Sequence, residues 1–194
     1  MQEVGGMRTP QTAADTDAHL IARITQGDRA ALTDLYVRYR LPLFRYVLQF
    51  TPDDGLAEEI VQDTLVAVWM SARSFEGRAQ VRTWLFGIAR RQAHNTLRRR
   101  GLPLSAVTEL DRMPADVPDP QDALLARVGR DDVTAALRRL TTIHREVLTL
   151  TFVHELSYAE SAAILGVPVG TVKSRLSNAK RALRALFDAR EEVE

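Results

Sequence analysis

Apolar residues recur at helical spacing along most of the chain, and no pair of alternating segments is joined by a hairpin turn. From Asp17 the pattern runs through Leu20, Ile21 and Ile24, then Leu32, Leu35 and Tyr36, then Leu43, Phe44, Val47 and Leu48. The turn-forming run Pro52-Asp53-Asp54-Gly55 interrupts it. In the segment that follows, Ile60, Val61, Leu65, Val68 and Trp69 share one face, while Glu58, Glu59, Gln62 and Asp63 lie off it, as an amphipathic helix requires. Val81, Trp84, Leu85, Ile88 and Ala89 open another helix, which runs into Arg98-Arg99-Arg100 and stops at Gly101. The stretch beyond holds Pro103, Pro114, Pro118 and Pro120 among scattered acids, a composition that resists helix formation. The helical period resumes at Val133, Ala136, Leu137, Leu140 and Ile143 and continues through Val147, Leu148, Leu150 and Phe152. The expected fold is all-α. Two small helical domains, at 17–101 and 129–190, are joined by a flexible, acidic, proline-rich linker at 102–128, behind a disordered tail at 1–16.

The sharpest local signal lies between Leu156 and Leu176. Ser157, with Glu160 three residues on, forms a capping-box pattern that opens a helix. Gly166 ends that helix at a tight turn needing positive φ, and Pro168 suits the start of the next. Ala162, four residues before the turn glycine, is small enough to let a second helix cross closely, with Val172 and Leu176 facing inward. That leaves Thr171, Lys173, Ser174, Arg175, Ser177, Asn178 and Arg181 on the outer face, polar or basic, as expected of a helix-turn-helix recognition helix entering a DNA major groove.

Net charge alone argues weakly for a polyanion partner: 26 Lys and Arg against 25 Asp and Glu leave +1. The distribution says more. Arg78, Arg82, Arg90, Arg91, Arg98, Arg99 and Arg100 follow one another without an intervening acid, and so do Lys173, Arg175, Lys180, Arg181 and Arg184. Two separate basic patches fit two contacts with one nucleic acid. The chain has no cysteine, which excludes disulfides, thiolate metal sites and cysteine nucleophiles. Its four histidines are scattered, no carboxylate cluster suggests catalysis, and no apolar run reaches the length of a membrane span. The expectation is a non-enzymatic, cytoplasmic protein without cofactor or metal.

The helix-turn-helix, and Gly170-Thr171-Val172-Lys173-Ser174-Arg175-Leu176 in particular, resembles the promoter-reading C-terminal domain of extracytoplasmic-function (ECF) sigma factors. The likeness extends from about Asp17 to about Phe187. Glu58-Glu59-Ile60-Val61-Gln62-Asp63-Thr64-Leu65 through Trp69 is similar to the family's helix that docks on the clamp of RNA polymerase. Phe75 and the run from Val81 to Arg91 resemble its segment that captures the −10 promoter element.

The resemblance implies a factor that binds core polymerase at the clamp of the largest subunit and at the flap, and directs promoter-specific initiation. It implies polymerase contacts at Glu59, Gln62, Asp63 and Val66. It implies −10 contacts at Gly77, Arg78, Gln80, Arg82, Arg90, Arg91, Asn95 and Arg98. The −35 contacts would fall at Thr171, Lys173, Ser174, Arg175, Ser177, Asn178, Lys180 and Arg181. An anti-sigma protein is a further expected partner.

The residues are also intelligible by themselves. In the loop Glu76-Gly77-Arg78-Ala79-Gln80, a glycine allows close approach while Arg78 and Gln80 can bond base edges or phosphates. Arg98 to Arg100 equally complement a helix dipole. Phe75 and Trp84 read as core aromatics rather than stacking platforms.

Two positions depart from the family pattern, and two more from that of housekeeping sigma factors. Asn178 stands where many members carry arginine. Because asparagine pairs with adenine and arginine with guanine, each contact worth about 1–3 kcal/mol of discrimination, an altered −35 preference is expected there. Ser161 replaces an apolar residue on an inner face, where its hydroxyl needs a partner such as a carbonyl one turn back. Gly87 and Ile88 occupy the places of the tryptophan pair with which housekeeping sigma factors hold melted DNA open, which implies weak melting.

Overall fold

The computed structural model describes residues 16–102, 136–137 and 139–191. The expected tail, apart from Thr16, and the expected linker, apart from Leu102, fall outside that range, as does Val133. Every regular element among the described residues is helical.

The N-terminal module holds α1 (Asp17–Thr25), α2 (Arg29–Val47), α3 (Asp54–Ser71) with a short 3-10 turn (Ala72–Ser74), and α4 (Val81–Arg99). Its helices begin where side chains can satisfy the exposed amides. Thr16 caps α1, Asp28 caps α2 by accepting from the Ala30 and Ala31 amides, and Asp53 Oδ1 accepts from the Leu56 amide at 3.0 Å. The apolar stripe read from the sequence is the core. Leu20, Leu35, Leu43, Val47, Ile60, Val68 and Leu85 are completely buried, each contributing about 1.5–3 kcal/mol through removal from water. Gly101 adopts φ +66° just past the end of α4, the left-handed conformation that closes a helix.

The C-terminal module holds α5 (Thr142–Leu148), a wide π turn (Thr149–Val153), α6 (Tyr158–Leu165) and α7 (Val169–Glu191). Its core comprises Val147, Leu150, Leu156, Leu165, Val172, Leu176, Ala179 and Leu183. In the π turn the His154 amide reaches back to the Thr149 carbonyl at 3.0 Å, one residue further than in an α-helix. Glu155, next in line, has φ +51°, unusual for a side-chain-bearing residue. This irregular corner directs His154 toward the N-terminal module.

The two modules touch. Helix α6 packs on α4, and the contact is lined with ionisable groups.

Candidate nucleic-acid interface

The helix-turn-helix forms as its sequence dictates. Ser157 Oγ accepts from the Glu160 amide at 3.2 Å, and Glu160 Oε2 accepts from the Ser157 amide at 2.9 Å, completing the capping box. Gly166 sits at φ +66° and its amide returns to the Ala162 carbonyl. Pro168 is the residue before α7, and its carbonyl accepts from the Thr171 and Val172 amides. Ala162, Val172 and Leu176 are buried together, so the two helices cross closely.

Helix α7 packs against both α5 and α6, which hides a broad stripe of it. Lys173 and Arg181 are exposed, while Thr171, Ser174, Arg175, Ser177 and Lys180 are half-buried. Asn178 corrects the sequence reading. It is only 2% exposed, beside the core residue Ala179, and its Oδ1 accepts from Arg181 Nη2 at 2.7 Å. A side chain so placed braces the helix and does not present an edge to a base, so the altered −35 preference assigned to it falls away. A helix packed on two neighbours buries more than the single stripe that periodicity anticipates. Arg175 is also partly turned inward, with Nε buried and without a hydrogen-bond partner. Lys180 Nζ lies 5.1 Å from the centre of the Phe152 ring.

Ser161 is fully buried, and its hydroxyl finds no hydrogen-bond partner. The expected bond to a carbonyl one turn back is therefore not made. Ile88 is buried in the N-terminal core, so it cannot prop open a DNA duplex.

Along α3, Glu59, Gln62, Val66 and Met70 are exposed, with Asp63 half-exposed beside them. Spacings of three and four residues place them on one ridge. Val66 is 62% and Met70 77% exposed, unusual for apolar side chains of this size. The acidic end of the ridge is paired with the end of α4: Arg100 with Glu59, and Arg99 with Asp63 at 3.8 Å. Met70 was missed in the sequence, although it lies four residues beyond Val66 and off the core face.

The loop 76–80 is exposed throughout, with Gly77 at φ +70° and Arg78 paired with Glu76. Arg91 and Arg98 are exposed on α4, and Asn95 Oδ1 accepts from Arg98 Nη2 at 3.0 Å. Phe75 and Trp84 pack on the core with ring centres 5.0 Å apart, as expected of structural aromatics.

Arg82 and Arg90 differ from their neighbours. Arg90 Nε donates to Glu146 Oε1 at 2.9 Å, and Arg82 Nη2 lies 3.7 Å from Glu160 Oε1. Thr83 Oγ1 donates to the same Glu160 oxygen at 3.1 Å, and Tyr46 donates its hydroxyl proton to Glu146 Oε1 at 2.6 Å. Arg145 Nη2 donates to the Gln49 carbonyl at 2.9 Å. His154 stacks edgewise on Phe86, with ring centres 4.6 Å apart, and approaches Tyr46 at 6.2 Å.

Burial pushes the Glu146 carboxyl above its ordinary range, against the pull of Arg90, the Tyr46 hydroxyl and Arg175. Burial also pushes His154 down to about 4, helped by Arg82 and Arg45. No sequence pattern marked Glu146 or His154, because their partners lie in the other module.

Two family models match the chain: sigma-70 region 2 over residues 35–102 and sigma-70 region 4 over residues 130–183. RNA polymerase sigma factor CnrH of Cupriavidus metallidurans is 30% identical, with the alignment covering 90% of this chain and 96% of that protein. The chain belongs to the ECF sigma factors. The ECF RNA polymerase sigma-E factor of Escherichia coli K12 is 31% identical over 87% of this sigma factor and 92% of its own length.

Two solved structures share its fold. CnrH in complex with the cytosolic domain of CnrY matches with TM-score 0.65 and 28% identity, covering 89% of this chain and 97% of that one. RpoE from Bartonella quintana, in complex with the anti-sigma factor NepR, matches with TM-score 0.61 and 27% identity, covering 80% and 96%. The protein is thus a sigma factor that directs promoter-specific transcription initiation. No helix among the described residues is long and apolar enough to cross a membrane.

Proposed function

We propose that the two modules divide promoter recognition in the cytoplasm, with the polymerase supplying all the chemistry. The α3 ridge of Glu59, Gln62, Asp63 and Val66, extended by Met70, docks on the clamp of the largest subunit. The exposed loop with Gly77, Arg78 and Gln80, together with Arg82, Arg90, Arg91, Asn95 and Arg98 on α4, takes one strand of the −10 element. Phosphate contacts there set register, and the glycine loop admits an extruded base. The C-terminal module meets the flap and sets α7 in the −35 major groove, with Thr171, Lys173, Ser174, Arg175, Ser177, Lys180 and Arg181 toward DNA.

The observation that carries this reading is the α3 ridge, where large apolar side chains lie in solvent beside carboxylates on an otherwise packed helix. An anti-sigma protein is a further partner of this chain, since RpoE is seen bound to NepR.

Transcription in vitro with core polymerase on a promoter library tests the proposal. Initiation from a discrete promoter class is expected, with loss on Gln62→Ala/Val66→Ser. Failure to direct any specific initiation would overturn it.

A further inference from the structure

Arg181 stands exposed on α7, yet its guanidinium is held in one place. Its Nη2 donates at 2.7 Å to Oδ1 of Asn178, three residues earlier, and Asn178 is itself only 2% exposed. Packing fixes this anchor. Helix α5 lies against α7, Ala179 beside Asn178 is fully buried, and the Glu146 carboxyl on α5 feels the charge of Arg175, which precedes Asn178 by three residues on the same flank. A long arginine ordinarily gives up its rotamer freedom when it binds. Here part of that freedom is already given up in the folded chain.

The chemistry of the acceptor matters as much as its position. A carboxylate at this place would hold the guanidinium but neutralise it. An amide oxygen is a neutral acceptor, so it aims the group and leaves the positive charge intact. The guanidinium carries several N–H donors in a planar fork, and the bond to Asn178 leaves the others for a second acceptor. Phosphate matches that fork in both geometry and charge.

Place along the helix indicates where such a phosphate would lie. Arg181 is twelve residues beyond Val169, where α7 begins, or about 18 Å along its axis. Recognition helices read bases with their N-terminal residues, in a major groove about 12 Å wide. Arg181 therefore falls where the helix leaves the groove and meets the sugar-phosphate backbone.

We infer that Asn178 is the positioning residue for Arg181, holding its guanidinium with charge intact for a phosphate flanking the −35 element. This rests on the assignment of α7 to the −35 duplex. The pair governs affinity and leaves base preference to the N-terminal turns of the helix.

The full chain, bound to core polymerase, is titrated over a range of salt against a promoter duplex that the parent holoenzyme selects from a randomised −35 library. Asn178→Ala, Arg181→Ala and the double variant form a cycle, with Arg181→Lys and Lys173→Ala beside them, each assayed below its own thermal unfolding midpoint. Arg181→Ala should weaken binding alike for all −35 sequences and reduce the salt slope by about 1. Asn178→Ala should weaken it about three- to tenfold at unchanged slope, as expected when one long side chain must be ordered on binding. In the Arg181→Ala background the same change should have no effect.

A residue that merely stabilised α7 would matter equally with Arg181 absent, and that result would overturn the positioning role. Arg181→Lys changes an exposed side chain, keeping the charge but losing the fork, and should weaken binding about threefold or more. Binding equal to the parent would overturn the role even if Asn178→Ala failed to fold. An inert Arg181→Ala beside a Lys173→Ala that still lowers the slope would also overturn it, while leaving α7 on DNA. If both are inert, the assignment of α7 to the duplex fails, and the role of Asn178 with it.

Discussion

Tyr46 of α2 donates its hydroxyl proton to Glu146 of α5 at 2.6 Å, across 100 positions of sequence. Both side chains are buried, and the Tyr46 hydroxyl shares Glu146 Oε1 with Arg90 Nε, so the buried polar atoms are satisfied together. The bond joins the N-terminal module to the C-terminal one.

Acid should loosen this arrangement. His94, held near pKa 4 chiefly by burial and then by Arg90, and His154, held near 4 by burial, Arg82 and Arg45, are both neutral in the folded chain against an ordinary 6.5. Their folded values are depressed, so the unfolded state binds more protons and stability declines as pH falls from 6.5 toward 4. Glu146 works the other way, because its raised carboxyl value favours the folded state on protonation. Urea midpoints measured across this range should fall with acidification in the parent, and the slope should flatten in His94→Gln/His154→Gln.

Ser161→Ala should stabilise the C-terminal module. The parent hydroxyl is fully buried without a partner, and relieving that desolvation returns about 1 kcal/mol or more. A higher denaturation midpoint with unchanged helical content is expected, and a lower midpoint would show that the hydroxyl is satisfied in solution.

Asn178→Ala and Lys173→Ala should separate by readout. Loss of the buried Asn178 amide leaves a gap and frees Arg181, so thermal stability drops while base preference is unchanged. Lys173 is exposed, and its loss should leave stability within about 0.5 kcal/mol. Duplex affinity should then weaken similarly for all sequences, with the salt slope reduced by about 1. Binding selection on a randomised −35 library, alongside calorimetry, reads both.

Gly166→Ala should cost about 1–2 kcal/mol. At φ +66° any side chain is strained, yet a Cβ there would meet no atom within 4 Å, so the penalty is that of the backbone alone. A much larger loss in thermal unfolding would mean that the two helices of the motif pack more tightly than this geometry has them.

Met70→Ser should leave the fold intact and weaken core-polymerase binding. The side chain is 77% exposed, so stability should change by no more than about 0.5 kcal/mol. A pull-down equal to that of the parent would remove Met70 from the docking ridge.

Much of the architecture is legible in the chain itself. Helical periodicity located α1 to α4 because each helix buries one continuous stripe. Ser157, Glu160 and Gly166 marked the helix-turn-helix because capping and left-handed turns are satisfied within a few residues. Runs of basic residues marked the two faces proposed to meet nucleic acid, and motif resemblance named the family. Local chemistry writes such features into neighbouring positions.

What only the tertiary structure decided concerns groups whose environment is supplied from a distance. Asn178 looks like a reader in the α7 pattern and becomes a brace because α5 and α6 both cover that helix. Arg90 looks like a free phosphate ligand, yet its partner is Glu146, 56 residues away. The π turn after α5 has no sequence signature, and it is what directs His154 to Phe86. Periodicity reports which face of a helix is apolar, whereas burial of a polar side chain depends on which second element arrives there, and that is settled only when the whole chain has packed.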